Sequence, residues 1–576
     1  MILQKLYECA EAIIGENMPP PMYETKPVRW IVELAPDGRY EISSNAGDGK
    51  KDRGLPRTIP FVGRTAGIRP ILLADTPSYV FGAAIPDSKG VIDKRAADKH
   101  RAFRELVKQC VEETGDEGAT AVLRLIDSQS AQLPDGMDPS DIVTFRYRDK
   151  LVVDSVAVQR FWAKSARGDA DGDAGTQFQC LVTGIRGPVD ESLSVAVKGL
   201  PGGQTSGVAL VSANSNAFES HGLKRAQTAP INRDAGERIV KALNRLIANK
   251  KNRVIVGNVV YVFWTKHGPD EYFPGMIDEP QAEMVRDLID SARSGRLYEL
   301  DDEMKEEFYV FALSANAARV VIRDQITTTL GSVRQNLARW FELQDMVNFD
   351  GTPGPIRGVW KVAAAAYRAA SKEMEPSAAV GLLQAAILGK PIPEHLLART
   401  IMRCRADRAV NHGRATLIKM ILSTHEEVSN IPMASLNMEN TSPAYVCGRL
   451  LAHLAAIQKA AVGDISANIV DRYYGAASTS PATVMPLLLS MATKAHLPKI
   501  RKTKPKWHGA LDNRLMEIST KLDDFPSILT LKDQGLFALG FYHQKAFDRA
   551  TAIAKHDEKV AKTNDHDIDN TENEDE

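Results

Sequence analysis

The sequence predicts an α+β protein: a mixed α/β N-terminal domain with antiparallel strands, followed by an all-α C-terminal helical bundle. Three observations carry this. Short runs rich in β-branched and aromatic residues, such as Val254 to Trp264, alternate with helix-length segments as far as residue 330. From Leu330 the β pattern stops, and the chain is rich in Ala and Leu at helical spacing to about Phe547. At 576 residues the chain also exceeds what one core holds, roughly 250 to 300 residues. The expected divisions are 1–330 for the mixed domain, 331–432 for a helical connecting region, 433–561 for the bundle and 562–576 for a disordered acidic tail.

Residues 1–14 alternate charge with apolar residues as a helix does, and Pro19 to Pro21 stops it. Trp30 to Leu34 and Arg39 to Ile42 form a hairpin about Pro36, Asp37 and Gly38. Between Lys50 and Arg69, bases among glycines and prolines make a positive loop that is not a long helix. Phe103, Leu106, Val107 and Cys110 predict a helix from Ala96 to about Glu113. Lys150 to Val153, Cys180 to Ile185 and Val208 to Val211 have strand composition, and Gly168 to Gly175 is an exposed turn that only superficially looks like a calcium loop. A helix from Ala235 to about Asn249, a basic turn Lys250 to Arg253, the strand Val254 to Trp264 and a helix from Gln281 to Leu300 come next. Phe308 to Leu313 pairs with Val320 to Ile322. In the helical half, Val446, Leu450, Leu454 and Ile457 share one face, further helices start at Pro481 and Gln534, and Lys499 to Lys506 packs five bases ahead of Trp507.

Composition excludes several classes. Hydrophobic residues at 44% and charged residues at 25% describe an ordinary soluble chain, and no apolar run approaches the roughly 20 residues that span a bilayer, so no membrane role is expected. The first residues lack a signal peptide's unbroken apolar segment, which predicts a cytoplasmic location. Five widely spaced cysteines provide neither a disulfide framework nor a Cys-x-x-Cys metal site. The net charge is -1, yet residues 563–576 contribute seven acids and no base, so the remainder is positive and compatible with nucleic acid.

The most polar candidate site is Gly207 to Ile231. Asn214 and Asn216 offer paired donors and acceptors, Lys224 and Arg225 offer charge, and Gln227 adds an amide, a mixture suited to base edges and phosphates. The same side chains also suit capping of loop backbone, and on this stretch alone capping is the favoured reading. Lys50, Lys51, Arg64 and Arg69 are further phosphate candidates, and Lys499, Arg501, Lys502, Lys504 and Lys506 form a phosphate-contacting patch. No metal or cofactor set is expected: no His-x-x-x-His is accompanied by a carboxylate, and neither a phosphate-loop motif nor a nucleophile elbow is present. An unrecognised nuclease built from scattered acids ranks last.

Several segments together resemble one family, the large subunit of the type I-C CRISPR Cascade surveillance complex. They are residues 1–7, Arg64 to Gly82, Val211-Ser-Ala-Asn-Ser-Asn-Ala-Phe-Glu-Ser220, Ala312 to Arg323, Asp471-Arg-Tyr-Tyr-Gly-Ala-Ala-Ser478 and Gln534 to Gln544, in order along nearly the whole chain. Pro70 and Ala74 depart from it, standing where a polar and an aromatic residue are expected. The resemblance implies a non-catalytic prokaryotic cytoplasmic subunit that works with crRNA, backbone and crRNA-processing subunits. Such a subunit meets the protospacer-adjacent motif (PAM) of target double-stranded DNA, helps open the duplex, stabilises the displaced single strand in the R-loop and supports a separate helicase-nuclease. It also implies a small subunit made from the C-terminal part by internal translation, for which Met433 and Met438 are start candidates. Under it, Asn214, Asn216, Lys224, Arg225, Gln227, Lys50, Lys51, Arg64 and Arg69 face the motif-bearing duplex, and Lys499, Arg501, Lys502, Lys504 and Lys506 follow single-stranded DNA. The alternative is a free-standing nucleic-acid-binding or scaffold protein without a crRNA complex.

Overall fold

The structure is a computed structural model. It describes the chain except for residues 1, 15–18, 21, 46–52, 63–66, 88–89, 129–131, 167–176, 190–192, 194, 214, 269–272, 294–304, 426–433 and 572–576, with backbone alone at 188, 273, 274 and 559–571. Described residues are α+β, with strands confined to the N-terminal part and helices alone after residue 330. Packing divides them into two compact units, one of residues 3–197 and 206–245 and the other of 198–205 and 246–576.

The first unit is built on a five-stranded sheet. The expected hairpin is β2 (Trp30–Leu34) and β3 (Tyr40–Ser44), closed by Gly38 at φ 87°, where a residue with a Cβ is strained. The sheet runs β3-β2-β6-β5, with β5 at Ala74–Asp75, β6 at Val143–Tyr147 parallel to β2, and β7 (Lys150–Leu151) also on β6. The helix Ala96–Thr114 joins the same core through Phe103, Val107 and Cys110, which fall on one face and are fully buried, and Gly115 ends it in the left-handed conformation. The helices Glu117–Ser128 and Val156–Ser165 complete this core.

Several local expectations change. The basic segment holds a strand, β4 (Leu55–Pro60), paired with β1 (Tyr23–Val28); Gly54 permits it, since a Cβ there would meet the Val28 carbonyl at 1.9 Å. The strand expected over Lys150 to Val153 stops at Leu151 and tightens into a 3₁₀ turn. Cys180 to Ile185 is not a strand but the loop joining β8 (Gln177–Gln179) to β9 (Arg186–Pro188). Val208 to Val211 is reduced to bridging at Val208 and Ala209, with Val208 paired to Val197. The helix expected from Gln281 to Leu300 is described over Ala282–Arg293, and its remainder from Ser294 lies outside the described residues. So does the turn expected at Gly168 to Gly175.

The second unit starts with a four-stranded antiparallel meander, β10 (Arg253–Val256), β11 (Val259–Thr265), β12 (Glu307–Asn316) and β13 (Arg319–Thr329). The run Val254 to Trp264 is therefore two strands, turned at Gly257 with φ 64°. All seven residues of β11 are buried, so both faces of the sheet need cover. Leu330, Val333 and Leu337 of the helix Leu330–Glu342 join the same core as Val254, Phe263 and Val310. The composition shift at 330 thus marks a change of secondary structure inside one core, and the packing division falls near residue 245.

That core continues without a break into the C-terminal helices, so the segments 331–432 and 433–561 share it. Val446, Leu450, Leu454 and Ile457 of the helix Pro443–Val462 are buried, as their spacing predicts. This helix lies parallel to Leu531–Thr571, with Tyr445 beside His543, Arg449 beside Gln544 and His453 near Asp548. The last helix runs to Thr571, into the segment expected to be disordered; extending a formed helix avoids the cost of a new nucleus.

Candidate nucleic-acid interface

The polar stretch after Val208 is pinned from within. Ser220 and Leu223 bridge across His221 and Gly222, whose φ angles of 54° and 73° make a tight two-residue turn. Lys224 then leads into a 3₁₀ turn, Arg225–Thr228. The Gln227 side-chain oxygen accepts the Lys224 backbone N–H at 3.2 Å, and the Gln227 N–H donates to the Lys224 carbonyl at 2.9 Å. Gln227 is thereby committed to the loop, in the capping manner its residue type allows. Lys224 and Arg225 are exposed, and Asn216 is exposed on a separate turn, Asn216–Phe218. Asn214 lies outside the described residues.

Of the N-terminal bases, Lys50, Lys51 and Arg64 also lie outside the described residues. Arg69 is exposed, and its backbone N–H donates to the Tyr79 hydroxyl at 3.3 Å. Nearby, fully buried Asp75 accepts the backbone N–H of Ile71 at 2.8 Å and of Thr76 at 2.7 Å, which fixes the segment between Arg69 and Tyr79. Ala74 is buried on β5, so that position presents nothing to a ligand.

The basic run of the helical half is organised by two helices. Lys499, Arg501 and Lys502 are exposed on Leu497–Thr503, while Leu497 and Ile500 anchor the other face in the core. Lys504 stands at the break before the helix Pro505–Ser519. Its ammonium donates to the Ala460 carbonyl at 2.9 Å and lies 5.2 Å from the Trp507 ring centre. Lys504 is thus a helix-end contact, whereas Lys499, Arg501, Lys502 and Lys506 present their charge to solvent beside Trp507, itself 56% exposed. His496 responds to this field: burial, then Lys499, hold its imidazole below the ordinary range.

Sequence reasoning overlooked a second basic helix. Lys94, Arg95, Lys99, His100, Arg101 and Arg104 gather at the start of Ala96–Thr114 against Asp93 and Asp98. The signal was present, but that helix was read only through its apolar positions.

The described residues hold no cluster of three His, Cys, Asp or Glu that could bind a metal. Burial pushes the thiols of Cys110, Cys404 and Cys447 up to about 12, where they are inert as nucleophiles. Met433 is outside the described residues, and Met438 lies in a turn ahead of Pro443–Val462.

No curated protein matches the chain. A family model described as CRISPR-associated protein (Cas_Csd1) matches residues 3–547, which takes in both compact units and each basic surface described above. The chain belongs to the CRISPR-associated Cas_Csd1 family.

Proposed function

We propose that this protein is the large subunit of a type I-C Cascade complex, a non-catalytic component that meets the PAM of double-stranded target DNA. In this reading crRNA pairing carries the target sequence, while the protein reads a short motif and the DNA backbone. It helps open the duplex, stabilises the R-loop and supports a separate helicase-nuclease. The family match supports the CRISPR setting. The observation that carries the DNA reading is the pair Lys224 and Arg225, exposed on a loop whose backbone is held by its own hydrogen bonds. A preorganised cationic loop binds phosphate without first being ordered.

Assembled complexes carrying Lys224→Glu and Arg225→Glu test this. They should lose affinity for motif-bearing duplex and keep it for a target already opened as a bubble. Unchanged motif preference in these complexes, and in Asn216→Ala, assigns the loop to structure alone. Failure to copurify with crRNA and other Cas proteins favours the free-standing alternative.

A further inference from the structure

A cleft of about 780 Å³ opens in the N-terminal unit beside the basic start of the helix Ala96–Thr114. Its floor is apolar: Val80, Leu125, Ile126 and Phe145 are each at most 8% exposed. Its rim is aromatic and cationic. Phe81 is partly exposed there, and His100, Arg101 and Arg104 line the helix side.

The rim is fixed but not closed to a ligand. The His100 ring contacts the Tyr79 carbonyl through Nδ1 at 3.0 Å, and Gly82, at φ 65°, lies against the imidazole, where a Cβ would come within 3.3 Å. Arg104 donates through Nε to Asp127 at 2.6 Å, and Arg101 pairs with Asp98 at 3.3 Å with side chains 79% and 56% exposed. Exposed pairs of this kind hold weakly, so an anionic group can take over either guanidinium. Asp98 and Asp127 count against an anion, as does Asp93, which pairs with Lys99 at 2.5 Å, yet Lys94, Arg95, Lys99, Arg101 and Arg104 outnumber these three acids.

We infer that this cleft receives one unstacked nucleotide of a nucleic-acid strand, with its base on the apolar floor against Phe81 and its phosphate at Arg101 and Arg104. Three features favour a nucleotide over an acidic peptide. The cleft has the volume of a single small ligand. The adjacent strand β6 is paired on both sides, with β2 and with β5 and β7, so it offers no edge for an added strand. An aromatic rim interleaved with bases is the surface that stacks and neutralises a single-stranded nucleic acid. The inference rests on the reading that this protein contacts nucleic acid.

Photocrosslinking separates the two. The full-length chain is irradiated with single-stranded DNA carrying 5-iododeoxyuridine, and crosslinked peptides are mapped. The expected result is a crosslink at Phe81 or His100 that falls about tenfold in Ala97→Trp, which fills the cleft mouth from an exposed position, and also falls in Arg101→Glu. Crosslinks elsewhere should persist in both variants. Crosslinks confined to other segments such as Trp507, or a Phe81 crosslink that survives Ala97→Trp, overturn the cleft assignment and leave DNA contact standing. No binding of DNA by the chain or its complex overturns both.

Discussion

Gly448 meets the carbonyl of Phe537 so closely that a Cβ on it would stand 2.0 Å from that oxygen. Gly540 makes the reciprocal approach, 2.0 Å from the Tyr445 carbonyl. The parallel helices Pro443–Val462 and Leu531–Thr571 touch backbone to backbone here, so side-chain relaxation cannot make room. Gly448→Ala and Gly540→Ala should each cost at least about 2 kcal/mol, seen as a lower urea midpoint. Gly475→Ala and Gly509→Ala are the contrast, since both lie in helices with open space at the Cβ. Each should be neutral or stabilising by up to about 1 kcal/mol.

Arg449, fully buried in the same contact, donates Nε to Gln544 at 3.0 Å and a terminal nitrogen to Glu517 at 3.1 Å. Arg449→Ala leaves a cavity and strands the Gln544 oxygen. The expected loss is about 3 kcal/mol in chemical unfolding. An Arg449→Ala midpoint equal to wild type contradicts this role.

His543 predicts a pH dependence. Burial, then Lys419, press its imidazole down to about 3, while Tyr445 bonds Nδ1 at 3.0 Å. Above about 6.5 both folded and unfolded chains hold it neutral. Below that, only the unfolded chain takes the proton, so stability falls with falling pH until about 3. At pH 5 the loss from this group reaches about 2 kcal/mol. His543→Gln should flatten the decline in unfolding free energy between pH 7 and pH 5; an unaltered slope excludes His543 as its source.

The exposed bases of the helical half predict salt-dependent strand binding. Replacing Lys499, Arg501, Lys502 and Lys506 by Glu should weaken single-stranded DNA binding and lower the slope of log K against log salt by about 3. Trp507→Ala should weaken it by about 1 to 3 kcal/mol with little change in that slope. Lys504→Ala should act on stability more than on affinity, because its ammonium is engaged at Ala460.

Periodicity was enough to read the helices whose one face is buried, as with Phe103 and Val107 or Val446 and Leu450, because burial imposes the spacing directly. It failed at Val208, where a strand-like run narrows to an isolated bridge with Val197, since pairing is a long-range property. It failed again at Gly257, where one apolar run turns back upon itself. In the site, charge was legible and commitment was not. Gln227 and Lys504 have the residue types of ligand contacts but are occupied by Lys224 and Ala460, and the cleft beside Arg101 joins residues separated along the chain.

Internal initiation at Met438 predicts a short second product. A C-terminally tagged gene expressed alone should yield a second band, lost in Met438→Leu; one full-length band opposes internal initiation. The fold adds a consequence. Gly535 packs against Leu397, Ile418 and Leu422, and Tyr542 donates to the Val347 carbonyl at 2.8 Å, all N-terminal to Met438. A chain beginning at Met438 uncovers the face of the helix Leu531–Thr571 that carries Gly535 and Tyr542. Purified alone, it should bind a hydrophobic dye or self-associate, because a contiguous apolar face seeks cover. A monomeric fragment that leaves the dye dark shows instead that its helices repack without the rest of the core.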